Sequence, residues 1–117
     1  MDVEWIKIAG IPKDNKPFVA ENSIAEISID GKRLYLTYFK GSYYAGEQRC
    51  PHAGALLTQG WLNGDGDIVC PYHRFCFDLE TGKNTDGEGF YVQTYPVEVR
   101  ENGIFMGMPK KKWWQFW

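Results

Sequence analysis

Histidine is scarce in this sequence, with two among 117 residues, and cysteine nearly so, with three. An odd cysteine count does not suit a closed disulfide framework, and an intracellular chain keeps its thiols reduced, so metal or catalytic use is the better reading. Long apolar runs are missing too. A bilayer-spanning helix needs roughly 20 apolar residues, and the longest candidates here are broken by charges and glycines. The N-terminus, Met1-Asp2-Val3-Glu4-Trp5, has no basic segment followed by an apolar one, as a secretory signal would. The mature chain is therefore expected to start at Met1 and to be cytoplasmic. Charge of one sign is also lacking: the formal net charge is -2, and no basic patch occurs before the last eight residues. That excludes the usual footprint of a nucleic-acid binder. No segment keeps a 3.6-residue apolar period through three turns, so helices are not expected.

The chain has what a folded protein needs. A hydrophobic fraction of 44% and an aromatic fraction of 16% exceed what a disordered chain carries, and the length suits one domain spanning residues 1–117. Strand signals dominate. Ala25, Ile27 and Ile29 alternate with Glu26, Ser28 and Asp30; after Asp30-Gly31, Leu34, Leu36 and Tyr38 share one face. Asp-Gly suits a type I′ turn, and Asn102-Gly103 offers the same device between Val97-Val99 and Ile104-Met106-Met108. Further strands are expected from Val3 to Ile8, at Tyr43-Tyr44-Ala45, at Asp67-Ile68-Val69 and at Phe75-Cys76-Phe77, with Pro12 to Pro17 as a loop. Glycines and turn residues crowd the region of about 48–89. The expected architecture is all-β: an antiparallel β-sandwich or small barrel carrying an inserted, loop-rich, metal-binding lobe, with no internal repeat.

Both histidines stand beside cysteines, in Cys50-Pro51-His52 and Cys70-Pro71-Tyr72-His73. Thiolate and imidazole together select zinc or iron-sulfur chemistry and disfavour hard ions. Pro51 and Pro71 fix φ beside each cysteine and limit the entropy lost in placing the ligands. A structural zinc module is one reading, since four Cys/His ligands satisfy tetrahedral zinc. Common zinc patterns, however, pair cysteine with cysteine and histidine with histidine, whereas each segment here mixes the two.

The mixed order, C-x-H followed after a spacer by C-x-x-H, resembles the Rieske iron-sulfur family. The resemblance extends through Ala53-Gly54-Ala55-Leu56-Leu57, Gly60-Trp61 and Phe77-Asp78-Leu79-Glu80-Thr81-Gly82 to Tyr95-Pro96-Val97-Glu98-Val99. It implies one [2Fe-2S] cluster, with Cys50 and Cys70 on one iron and His52 and His73 on the other. Family members of respiratory complexes carry a further cysteine in each loop; Ala55 and Tyr72 stand there, so no loop-to-loop disulfide is expected. Those members also offer hydroxyls two and four residues after the second histidine, where this chain has Phe75 and Phe77. Fewer hydrogen bonds to sulfur imply a potential near the low end of the roughly -150 to +300 mV Rieske range. Imidazole ligation implies a potential that falls as alkaline pH rises.

No histidines remain for a mononuclear oxygenase iron, so an electron-transfer component is expected rather than an independent catalyst. The resemblance implies a ferredoxin passing electrons from a flavin-dependent reductase to a terminal ring-hydroxylating oxygenase, or the small subunit of an assimilatory nitrite reductase beside its large subunit. Arg74 departs from the family, which commonly has glycine after the second histidine, and Cys76 stands where arginine is usual. Cys76 reads as a packed strand cysteine. The segment Asp86-Gly87-Glu88-Gly89-Phe90 lacks a proline often present in the third loop. Leu56 and Leu57 form either an apolar rim for a partner or simple packing. Asn63, Asp65 and Asp67 alternate like calcium ligands, but Arg74 stands where an EF-hand needs its glutamate. The tail Lys110-Lys111-Lys112-Trp113-Trp114-Gln115-Phe116-Trp117 either folds back on the core or, through Trp113, Trp114, Phe116 and Trp117, meets a second copy, a partner or a membrane surface.

Overall fold

Alternating residues build the central hairpin. Strands β2 (Ile24–Ile29) and β3 (Lys32–Phe39) pair antiparallel with Ile29 opposite Lys32, and Gly31 precedes β3 at φ 82°. The same device recurs one turn later, unheralded by Asn-Gly or Asp-Gly. Phe39 faces Ser42 at the start of β4 (Ser42–Glu47), and the two loop residues Lys40 and Gly41 both take positive φ, 49° and 85°, as a type I′ turn demands. Glu21 holds this turn by accepting the Lys40 N–H at 2.8 Å.

The computed structural model describes residues 3–10, 19–29, 31–51, 54–72, 74–85 and 89–109. Among these, β1 (Val3–Ala9), β10 (Gly103–Pro109) and β9 (Val97–Arg100) form one sheet, in that spatial order. A second sheet has the order β2-β3-β4-β8, with β8 at Thr94–Tyr95. A third joins β5 (Trp61–Leu62), β6 (Asp67–Val69) and β7 (Cys76–Asp78). All paired strands are antiparallel, and one 3₁₀ turn, Leu57–Gln59, interrupts the β structure. The expected loop from Pro12 to Pro17, the acidic Asp86-Gly87-Glu88 and the tail from Lys110 to Trp117 lie outside the described residues.

The four-stranded sheet is a middle layer with a core on each side. Leu34 and Leu36 point into one core with Ile29, Ala45, Tyr95, Met106 and Met108, against the first sheet. Tyr35 and Phe39, on the opposite face of β3, enter a second core with Cys50, Leu57, Ile68, Cys70, Phe77, Leu79 and Val92. The expectation of one apolar face on β3 is thus too narrow. Both faces are covered, and Thr37, wholly buried, donates its hydroxyl to the Ser23 carbonyl at 2.6 Å. The expected turn at Asn102-Gly103 is shifted by one residue: Gly103 faces Arg100, so Glu101-Asn102 make the turn, and neither has positive φ. Gly103 serves a close approach instead, since a Cβ there would lie 2.7 Å from the Ala9 carbonyl oxygen.

Tyr35 shows what the second core costs. Its ring lies across Gly46, directly opposite on β4; a Cβ at Gly46 would sit 2.7 Å from the ring. Its hydroxyl is buried without a hydrogen-bond partner among the described residues. Burying an aromatic ring of about 200 Å² contributes about 5 kcal/mol, against about 1–3 kcal/mol for an orphaned hydroxyl, so burial wins. Burial, then the negative charge of Asp78, raises the Tyr35 phenol well above its ordinary value of 10.0; burial, then the hydrogen bond to Glu47 Oε1 at 2.6 Å, does the same for Tyr95. Each phenol keeps in the fold a proton that the unfolded chain releases. Stability is therefore full below the ordinary value of 10.0 and falls as pH rises beyond it. Urea midpoints measured at rising alkaline pH should drop, and Tyr35→Phe should flatten that drop while adding about 1 kcal/mol at neutral pH. A destabilised Tyr35→Phe protein would show that the hydroxyl has a partner.

Candidate metal centre

Two hairpin loops carry the cysteines, and they share one template. The residue before each cysteine pairs with the sixth residue after it, Arg49 with Leu56 and Val69 with Cys76. Each cysteine N–H donates to the carbonyl five residues on, Cys50 to Ala55 and Cys70 to Phe75, both at 2.8 Å. The fourth residue after each cysteine is left-handed, Gly54 at φ 69° and Arg74 at φ 58°. The sequence hid this equivalence, because Cys-Pro is nearly all that the two loops have in common. The histidines fall at different steps of the template, two residues after Cys50 and three after Cys70.

The loops bring the two thiols together. Cys50 is 1% exposed and Cys70 fully buried, in one core with Leu57 and Phe77, with Phe75 packed against it. Burial pushes the Cys70 thiol up to about 11, the neighbouring Cys50 thiol in hydrogen-bond contact adds to this, and the Tyr72 backbone N–H works against it. Adjacent thiols in an apolar wall do not ionise readily unaided; a bound metal supplies the positive charge that deprotonates them. The donor set therefore fits a thiolate-bound metal group. Among the described residues no His, Asp or Glu completes a set of three with the thiols. His52 and His73 lie outside the described residues.

Two residues that sequence patterns did not single out hold the loops. Gln48, 2% exposed, accepts the Leu57 N–H on its carbonyl at 2.7 Å, and its side-chain amide donates to Glu26 Oε1 and, at 3.0 Å, to Thr58 Oγ1. It ties the base of the first loop to β2 and to the 3₁₀ turn. Gly60 lets that turn reach the strand leading to Cys70: a Cβ there would lie 1.9 Å from the Val69 carbonyl oxygen. Gly60 stands out in the sequence only through the family resemblance, and no local signal marks Gln48.

Burial and hydrogen bonding decide the other open readings. Leu57 is fully buried, so it is packing and not a partner-facing rim; Leu56 is half-buried. The Asn63 side-chain Oδ1 accepts the backbone N–H groups of Asp65 and Asp67, both at 3.0 Å, and its Nδ2 donates to Asp67 Oδ2, so the alternating Asn/Asp residues close a turn. Cys76 is half-buried in β7, and none of the three cysteines forms a disulfide. Ala55 packs against the core while Tyr72 is 60% exposed. Among the described residues no helix is long and apolar enough to cross a membrane.

The paired cysteine loops beside a three-stranded lobe are those of an iron-sulfur electron-transfer domain. The chain belongs to the Rieske [2Fe-2S] domain family, which matches it over residues 11–96, and it binds a [2Fe-2S] cluster. It is 31% identical over 109 residues to the ferredoxin component of the naphthalene 1,2-dioxygenase system of Pseudomonas putida, covering 92% of this chain and 99% of that protein. It is 36% identical over 119 residues to nitrite reductase [NAD(P)H] of Emericella nidulans, covering 91% of this chain but spanning only 11% of that much longer protein. The ferredoxin of carbazole 1,9a-dioxygenase from Nocardioides aromaticivorans IC177 superposes with a TM-score of 0.74 at 25% identity, over 91% of this chain and 98% of that one.

Two outcomes test the loop template. Gly60→Ala forces the 3₁₀ turn away from Val69, and overpacking against backbone should cost about 3 kcal/mol or more; visible absorbance per protein should fall with it, whereas an unchanged cluster content would show that the approach is not needed. Arg74→Gly relieves a left-handed L-residue, worth about 1–2 kcal/mol, against about 0.5–1 kcal/mol of added chain entropy. A gain of about 0.5–1 kcal/mol in a urea melt is expected, with the spectrum unchanged.

Proposed function

We propose that this protein is a one-electron carrier whose cluster is held by Cys50, His52, Cys70 and His73, the thiolates on one iron and the imidazoles on the other. The observation that carries this reading is the shared loop template, which sets the two thiols side by side and contains one histidine in each loop. When bound, the cluster stores and releases a single electron. The chain's own residues do the rest. The loop-closing Cys50 and Cys70 N–H bonds fix the thiols, Leu57 and Phe77 exclude water from their inner side, and the Tyr72 N–H donates to the Cys70 sulfur. Phe75 and Phe77 bring no hydroxyl, which supports a low potential. In this reading residues 1–117 form one cytoplasmic domain, with the cluster lobe at about 48–89.

The system favoured is a ring-hydroxylating oxygenase, in which the protein would take electrons from a flavin-dependent reductase and give them to the terminal oxygenase. Near-complete coverage of the naphthalene dioxygenase ferredoxin supports this. A complex of reduced oxygenase and oxidised ferredoxin is known for carbazole 1,9a-dioxygenase, whose ferredoxin is 25% identical to this chain. The second reading, the small subunit of a nitrite reductase, is supported by the 36% identity to the fungal enzyme. Turnover restored to a reductase-oxygenase pair, or to a siroheme large subunit, separates the two.

Anaerobically purified, iron-replete protein should show the visible bands of a [2Fe-2S] cluster and, once reduced, a low-temperature EPR signal with the low average g of mixed Cys/His ligation. His52→Cys and His73→Cys should each shift that signal. Colourless protein holding stoichiometric zinc would instead make this a structural zinc module, and a midpoint potential well above zero would contradict the low-potential assignment.

A further inference from the structure

Arg74 occupies a conformation that its own fold marks as a glycine position. The equivalent residue of the first loop, Gly54, takes the same left-handed backbone without a side chain to strain it. A costly residue where a cheap one would serve points to a use for its side chain. Arg74 is exposed, and no carboxylate among the described residues forms an ion pair with it. Arg49, exposed at the base of the first loop, lays its guanidinium on the Gly54 carbonyl at 2.9 Å, so both loops carry a positive charge. Segments 49–62 and 68–77 contain these two arginines and no Asp or Glu, although the whole chain is at -2. Tyr72, 60% exposed, stands two residues before Arg74; tyrosine and arginine are the side chains most often found at the energetic centre of protein contacts.

We propose that Arg74, with Arg49 and Tyr72, is a docking contact for a redox partner whose surface presents carboxylates beside its own electron-exchanging centre. This rests on the electron-carrier reading above. Charge of this kind acts mainly on encounter rate and orientation, and salt weakens it. It acts locally: the two cysteine hairpins, 49–62 and 68–77, carry only positive formal charge on a protein that is acidic overall, so a small anion should be attracted to them although the molecule as a whole repels it.

The test is stopped-flow oxidation of the dithionite-reduced holoprotein by hexacyanoferrate(III), one electron passing from the protein to give hexacyanoferrate(II), repeated with the cationic tris(phenanthroline)cobalt(III), which is reduced to cobalt(II). With the anion, the second-order rate constant should fall roughly three- to tenfold as salt rises from low to physiological ionic strength; with the cation it should rise. Arg74→Gly should shrink the anion/cation rate ratio by a similar factor, Arg74→Lys should preserve it, and Lys7→Gln, the same change in net charge on the distant β1, should leave it unmoved. An anion rate that rises with salt in the unmodified protein, or a ratio that shifts as much with Lys7→Gln as with Arg74→Gly, would overturn the proposal while leaving the carrier reading intact. Absence of the [2Fe-2S] spectrum would remove both.

Discussion

The structure depends on two thiols being held side by side at the edge of an apolar core by loops that are closed from within. Each closure is a single 2.8 Å bond from a cysteine N–H to the fifth carbonyl onward, worth about 1 kcal/mol net. Two such bonds would not hold two six-residue loops against their chain entropy. The loops stay ordered because their ends are strand pairs, Arg49 with Leu56 and Val69 with Cys76, because Gln48 ties the first loop base to β2 and the 3₁₀ turn, and because Gly60 lets that turn lie against Val69.

That arrangement explains why the central sheet is buried on both faces. A lobe carrying adjacent thiols needs an apolar floor, since stray water would offer competing ligands and raise the dielectric around the metal. Tyr35 and Phe39 supply the floor from β3, and Gly46 makes room for the Tyr35 ring. The orphaned Tyr35 hydroxyl is the cost. It is tolerated because ring burial outweighs it.

What could be read in the sequence was whatever short-range chemistry determines. Alternation at Ala25, Ile27 and Ile29 and the Asp30-Gly31 pair gave the central hairpin in its true register. The juxtaposed Cys and His residues marked a candidate centre, of which the structure brings the two cysteine thiols together. What was not legible needed partners distant in sequence. A strand reading Leu-Tyr-Leu-Thr-Tyr-Phe cannot announce that two different layers will cover its faces. Nor can Gln48 announce that its amide will meet Glu26 and Thr58. The Asn102-Gly103 turn slipped by one because Gly103 is needed for the close approach of Ala9, which overrides local turn preference. Leu57, beside a ligand segment, could be rim or packing from sequence alone, and the 3₁₀ turn places it inward.

The equivalence of the two loops bears on how the site discriminates its two sides. A shared template would present two equal ends to a partner, yet the side chains placed on it differ: Ala55 is tucked against the core where Phe75 packs from the other loop, and Gly54 is bare where Arg74 projects. The backbone thus fixes where the cysteines sit, and the non-ligand positions are left to set charge and contact. Encounter rates respond to such charges at the rim, whereas the electronic character of the centre responds to buried neighbours such as Phe77 and the Tyr72 N–H. Substitutions at positions 54 and 74 therefore act on charge and contact at the rim, and leave the bonds that place the cysteines untouched.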